Sequence, residues 1–531
     1  MKYEDFVAAK RVSEKTTGHE PSELNAHLFD FQRQIVSWAV RQGRAAIFAD
    51  TGLGKTLMQT SWADEVTKHT GGKVLILAPL CVAHQTVHEA KKFGIEVQYC
   101  RTQDDAAGNI IITNYEMLDK FDVSTFVGVV LDESSILKSY MGKTKRLIID
   151  SCKPVNYRLA CTATPSPNDY LELGNHAEFL GVMPSNEMIM RFFQNDTMEA
   201  GSYVLKAHAA SKFWEWCATW SVCVSNPSDL GFDGTKYILP TLNQEFVEVS
   251  TEGLPAADGE LFRTVTINAT SVHKEGRLTI DRRAQEVAKL VNANNEAWLV
   301  WCNTNYEADA LKGLIPGAVD VRGSDSIEKK ENSLNGFVDG SIRVLITKPS
   351  IAGMGLNLQH CRNMAFVGLS YSYEDYYQAI RRCYRFGQTK EVNCYVMAAD
   401  SERSILSIIK EKERKHNEMK TEMVKAISTL HNKGSIMNDN PYFEKKSGEN
   451  WDLHHGDCVH VAKKLETDSI GFSVYSPPFS NLYIYSDSEY DMGNSTDDGQ
   501  FMKHYSYLAE ELYRITKPGR LTAIHCKDLP M

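Results

Sequence analysis

The sequence predicts an α/β protein with two parallel-sheet lobes. Three observations carry this. Continuous apolar runs alternate with helical spacing in two separate stretches. A glycine-rich turn ending Gly52-Leu53-Gly54-Lys55-Thr56 joins one such run to a helix. A tandem carboxylate pair, Asp132-Glu133, closes another run. Uninterrupted apolar strands separated by helices mark a parallel sheet covered on both faces. Ligands of such sheets gather at the carboxyl ends of the strands, where the glycine turn and the carboxylates both fall.

The first lobe spans about residues 26–180, after a polar arm at 1–25. It opens on an amphipathic segment, Leu28 to Val36, whose Gln32 has an amide able to pair with an adenine edge or simply to sit on a solvated helix face. Ala45-Ala46-Ile47-Phe48 then runs into Ala49-Asp50-Thr51-Gly52-Leu53-Gly54-Lys55-Thr56. Strand, loop and helix in that order suit phosphate binding. Glycines turn backbone N–H groups inward, the lysine reaches the terminal phosphates, and the threonine holds magnesium. Thr51 to Thr56 are therefore nucleotide-binding candidates, although Ala49 stands where the pattern usually has glycine. Further strands follow at Lys73–Ala78, Asn109–Thr113, Phe126–Leu131 and Tyr157–Cys161. At the end of the third of these, Asp132 suits magnesium and Glu133 suits the attacking water. An Asp-Glu pair after a strand can also be a plain helix cap.

Residues 181–272 form a mainly helical insertion. Phe213, Trp216 and Trp220 share one helical face, which favours core packing over base stacking; Lys206 and Lys212 are weaker nucleic-acid candidates. The second lobe, 273–427, alternates again through Ala297–Asn303, Ser341–Thr347 and Asn363–Gly368, and then reaches Gln378-Ala379-Ile380-Arg381-Arg382-Cys383-Tyr384-Arg385-Phe386-Gly387-Gln388. Arginines three apart share a helix face and suit a transferring phosphoryl group, or make a solvated basic face.

Taken in order, these motifs resemble helicase superfamily two, most closely the Swi/Snf-type DNA translocases, over roughly residues 26–425. The resemblance implies two RecA-like lobes, ATP with Mg2+, and double-stranded DNA as partner. It assigns catalysis to Lys55, Asp132, Glu133, Arg382 and Arg385, nucleotide contacts to Gln32, Thr51, Gly52, Leu53, Gly54, Lys55, Thr56 and Gly355, and metal to Thr56 and Asp132. Thr162-Ala163-Thr164-Pro165 is similar to its coupling motif. The sequence departs from the family at Ser135 (in place of a histidine), Tyr384 (likewise) and Arg381, which stands where an acidic residue is common. Ser135 implies looser coupling of hydrolysis to movement.

A linker at 428–450 leads to Gly456-Asp457 and Ser476-Pro477-Pro478-Phe479. The tetrapeptide resembles the catalytic motif of amino-group (N4-cytosine or N6-adenine) DNA methyltransferases, whose target base is flipped out. The likeness gives Ser476 a catalytic place in a partial α/β domain, 451–531. With no Gly-x-Gly in that stretch, S-adenosylmethionine is expected only if the rest of such a domain is supplied, and the domain is expected to be truncated. His454 and His455 read as solvated or turn residues.

The totals exclude little else. A composition of 43% hydrophobic and 24% charged residues is globular, and the net charge of −10 confines any nucleic-acid contact to a local basic cleft. Twelve cysteines without a Cys-x-x-Cys fit reduced thiols rather than a zinc ribbon. No apolar run spans a bilayer. The expectation is a cytoplasmic protein of a bacterial or phage-infected cell, with subunits of a modification system as possible partners. Three readings follow: an ATP-driven translocase or helicase joined to a modification domain, a methyltransferase positioned by accessory motor lobes, and a nucleotide-dependent DNA clamp that does not move.

Overall fold

The structure, a computed structural model, describes residues 2–10, 16–138, 142–196, 202–254, 269–352, 357–432, 444–480, 482–486 and 488–526. The chain divides into two compact units. One comprises Thr17–Glu172 and Cys223–Thr421; the other comprises Met1–Thr16, Leu173–Val222 and Glu422–Met531.

The first unit contains both lobes. Lobe one is built on a seven-stranded sheet in the order Gln98–Tyr99, Ile110–Asn114, Val74–Ala78, Gly128–Asp132, Tyr157–Thr162, Arg44–Ala49, Ser221–Val224. The register places Leu131 between Leu77 and Ala160, so Asp132 and the end of the Arg44–Ala49 strand emerge at the same sheet edge. Every residue of the Val74–Ala78, Ile110–Asn114 and Gly128–Asp132 strands is buried. A parallel sheet with both faces covered has this apolar, unalternating signature.

Lobe two has a six-stranded parallel sheet, ordered Leu242–Val249, Val392–Ala399, Asn363–Phe366, Trp298–Trp301, Val344–Thr347, Val319–Asp320. This corrects the boundary expected at 273. The strand Leu242–Val249 belongs to lobe two, and its half-exposed, polar-alternating pattern is that of a sheet edge rather than a buried run. The helix after the sheet extends over Arg403–Asn432.

The second unit joins segments far apart in sequence. The stretch expected to be a polar arm holds a helix, Tyr3–Ala9, whose Tyr3, Phe6 and Val7 are buried with Val459, Met492, Phe501 and Leu508. Tyr3 donates its hydroxyl to Asp457 at 2.9 Å and lies 2.8 Å from His504 Nε2, and Lys10 Nζ donates to the carbonyls of Glu489 and Asp491 at 2.9 and 2.7 Å. Residues from 17 onward belong to lobe one, where His19 stacks on His69. In the insertion, Phe213, Trp216 and Trp220 are buried on the helix Ala210–Trp220. The expected linker includes a strand, Glu444–Gly448, that pairs antiparallel with Trp451–His455. His454 and His455 therefore lie on a hairpin strand, not in a turn.

Candidate active site in the two-lobed unit

The site is assembled from strand ends. Arg44–Ala49 stops at a loop in which Gly52 and Gly54 adopt φ of 94° and 81°, left-handed conformations that glycine alone adopts without strain. A Cβ on Gly54 would lie 2.3 Å from Gln32 Nε2, and one on Gly52 would lie 3.0 Å from Phe386 Cβ. Both glycines are thus required by close approach as well as by φ. Gly54 is the N-cap of the helix Lys55–Thr70, so the loop ends on the positive pole of that helix.

Gln32 braces the loop. Its Oε1 accepts the Phe29 N–H at 2.9 Å and its Nε2 donates to Leu53 O at 2.9 Å. Each amide atom retains one further hydrogen-bonding position for an adenine edge. Lys55 Nζ donates to Ala49 O at 2.8 Å, spanning the loop from helix to strand. Burial pushes its ammonium down from the ordinary lysine value, against the pull of Glu133, Asp132 and Asp50.

Asp132 is 4% exposed. Its Oδ2 accepts from Gln59 Nε2 at 2.8 Å and its Oδ1 from the Glu133 N–H at 3.1 Å, while Tyr115 donates to its backbone carbonyl at 2.7 Å. Burial, and then the neighbouring Glu133, raise the Asp132 carboxyl to about 7, opposed by Gln59 and Lys55. Glu133 has φ of 54°, costly for a residue with a Cβ and characteristic of functional positions. The Thr162 hydroxyl holds it at 3.3 Å, and the Thr164 N–H donates back to that hydroxyl at 3.1 Å, which ties the Thr162-Ala163-Thr164 segment to the carboxylate pair.

These residues fit nucleotide and metal. The Thr51 hydroxyl is buried with no hydrogen-bond partner, and a buried unpaired hydroxyl is costly unless a ligand meets it. Two adjacent carboxylates share one ammonium, an excess of negative charge that a divalent cation would offset.

Lobe two brings its arginines on the helix Tyr373–Cys383 and the turn after it. Arg382 is 3% exposed; its Nε donates to Gln378 O at 3.0 Å and its Nη2 to Gln378 Oε1 at 2.8 Å. Both contacts lie within its own helix. Arg385 lies in the turn, next to Phe386 at Gly52; burial lowers its guanidinium from the ordinary value, opposed by the charge of Glu89 of lobe one. Gly355 lies outside the described residues. Ser135 donates its hydroxyl to Glu374 of lobe two, and Lys138 joins the same carboxylate at 2.5 Å. The residue expected to loosen coupling thus makes a contact between the lobes.

The contacts that the sequence did not disclose centre on Asp50. Its carboxylate receives Lys420 Nζ at 2.6 Å, the Tyr377 hydroxyl at 3.0 Å and Arg381 Nη2 at 3.5 Å. An acidic residue inside a phosphate loop was the available signal.

In the other unit, Ser476 is exposed and donates to His525 O at 3.1 Å, after the strand Ile470–Tyr475, which pairs parallel with Thr516–Ile524. Asp457 caps a helix by accepting the His460 N–H at 2.8 Å. Lys206 donates to the Met190 and Arg191 carbonyls, and Lys212 pairs with Glu215 and Glu489, which takes both from the nucleic-acid candidates.

Residues 29–173 match the DEAD/DEAH box helicase family, and residues 282–387 match the helicase conserved C-terminal domain family. The two matches fall one on each lobe. Among curated proteins the chain is similar to Swi/Snf-related ATPases. The SWI/SNF-related matrix-associated actin-dependent regulator of chromatin subfamily A-like protein 1 of Xenopus tropicalis is 22% identical over 437 residues, 74% of this chain and 45% of the frog protein. The ISWI chromatin-remodeling complex ATPase CHR17 of Arabidopsis thaliana is 28% identical over 213 residues, 34% of this chain and 20% of that relative. The Type II methyltransferase M.BglI of Bacillus subtilis is 31% identical over 97 residues, 18% of this chain and 23% of the methyltransferase. Among solved structures, a Sulfolobus solfataricus SWI2/SNF2 ATPase core in complex with dsDNA has 16% identity and a TM-score of 0.38, covering 78% of this chain and 96% of that one. The chain spans less than half the length of the curated relatives it matches.

Proposed function

We propose that this protein is a DNA-dependent ATPase that uses ATP hydrolysis to move along duplex DNA. The observation that carries the reading is the seating of Phe386 on Gly52, which sets the arginine turn of lobe two against the phosphate loop of lobe one. Lys55 and the loop bind the triphosphate. Thr56 and Asp132 would hold magnesium, which supplies neutralisation of phosphate charge when bound. Glu133, held out of the ordinary backbone range and tethered to Thr162, orients and deprotonates the attacking water. Arg385 stabilises the charge that develops on the transferring phosphoryl group. Opening and closing of the lobes, each gripping DNA, converts turnover into motion.

The last segment is a modification-type module of the same protein in a bacterial or phage-infected cell. The likeness to M.BglI and the placement of Ser476-Pro477 after a parallel strand support this. That strand pair leaves Phe472, Val474 and Leu521 exposed by 60 to 72%, short of the covered sheet that a cofactor-binding α/β domain needs. This chain alone is therefore expected not to transfer a methyl group from S-adenosylmethionine to DNA.

The test is the ATPase rate with no nucleic acid, duplex DNA, single-stranded DNA and RNA. Stimulation by duplex DNA together with triplex displacement supports translocation. DNA binding without displacement or stimulation favours a static clamp and overturns the proposal.

A further inference from the structure

Asp50 places a negative charge in the phosphate loop, where a polyanion must bind. Its side chain is 8% exposed, and the two cations that meet it, Lys420 and Arg381, are 13% and 18% exposed. Both come from lobe two. Arg381 is held flat by two rings, 5.0 Å from the Tyr377 centroid and 5.4 Å from that of Tyr384. Tyr377 completes the cluster with its own hydroxyl on Asp50. Two cations on one carboxylate leave a local surplus of positive charge, so the cluster holds the lobes together without making the loop repel phosphate.

Geometry gives the cluster a task. Among the described residues, lobe two touches the phosphate loop at two points, Arg381 on Asp50 and Phe386 on Gly52. Arg385 lies between those two points in sequence. We propose that Asp50 is the seat on which the motif helix of lobe two docks, and that Asp50, Arg381 and Lys420 position Arg385 for the phosphoryl group. The basic residue at 381, where the resembled family commonly has an acidic one, is then matched by an acidic residue in the loop it faces. These are positioning residues, since they act through Arg385.

The inference rests on the ATPase reading, and the experiment separates the two. Asp50→Asn in the full chain is expected to lower duplex-stimulated kcat by about 30-fold or more with the KM for ATP within about threefold of wild type, because docking matters in the transition state more than in nucleotide binding. Asp50→Asn combined with Lys420→Met is expected to be no more than about threefold worse than Asp50→Asn alone, the non-additivity of residues in one network, and Asp50→Glu should recover part of the loss. Hydrogen exchange of the nucleotide-free protein is expected to rise in residues 384–390 and 49–54 of the Asp50→Asn variant. A kcat within about threefold of wild type, additive losses, or unchanged exchange would overturn the proposal. Should Asp50→Asn fail to fold, Arg381→Gln and Lys420→Met put the same question from lobe two. If the wild type hydrolyses no ATP under any condition, the ATPase reading fails and exchange alone decides the docking.

Discussion

The two lobes present their candidate site residues by different means. Lobe one uses a loop whose shape is fixed by two left-handed glycines and a helix start, so each residue from Thr51 to Thr56 has little choice of direction. Lobe two uses a helix and the turn after it; on the helix, consecutive residues point about 100° apart and one position decides which groups an arginine meets. Arg381 and Arg382 show the consequence. The first reaches Asp50 across the cleft; the second is buried on Gln378. A loop motif specifies its chemistry locally, whereas a helix motif specifies it only once the packing face is known.

Substitutions sharpen this contrast. The largest effect is expected in lobe one: Lys55→Ala should reduce ATP turnover by about 10³-fold or more with an unchanged circular-dichroism spectrum. Turnover near wild type would break the assignment of the loop. Glu133→Gln should lower kcat by about 10²- to 10⁴-fold, the usual worth of a general base, while ATP still binds, as titration with a fluorescent nucleotide would register.

Arg382→Ala should act on stability instead. Removing a buried guanidinium leaves Gln378 with unpaired polar atoms, at a cost of about 3 kcal/mol measurable by denaturant melting. Activity per folded molecule should stay within a few-fold, and a kinetic loss like that of Lys55→Ala with unchanged stability would mark Arg382 as a finger.

The smallest effect concerns His416, which is 1% exposed, packs on Tyr373 and Tyr377, and has neither ring nitrogen hydrogen-bonded. Burial, and then the charge of Lys420, lower it to about 3. A histidine kept neutral by the fold, but titrating normally when unfolded, costs stability as pH falls below the unfolded value of about 6.5 and continues to do so down to about 3. At pH 5 the loss amounts to about 2 kcal/mol. His416→Phe should flatten the decline of melting temperature between pH 7 and pH 5, and an unchanged slope would count against the burial of a neutral ring.

Much of the two-lobed unit was legible because its signals are local. Apolar runs without alternation identified the covered strands, and loop and carboxylate pair both followed such runs. What was not legible depended on distant partners. The helix Tyr3–Ala9 has seven residues, and its buried side chains meet Val459 and Phe501, some 450 residues or more along the chain; no periodicity so short identifies a core. The strand Leu242–Val249 alternates polar residues because it is an edge, so it read as part of the insertion. Asp50 carried a charge with no partner in its own neighbourhood of sequence, and only the fold brought Lys420 to it.

One measurement bears most directly on the shared triphosphate: single-turnover ATP hydrolysis by Arg385→Ala with saturating duplex DNA. The expected result is nucleotide affinity within about threefold of wild type and hydrolysis slowed by about 10³-fold or more, the usual worth of an arginine finger. Hydrolysis at the wild-type rate would mean that lobe two brings no charge to the reaction, and the two-lobed site would have to be abandoned.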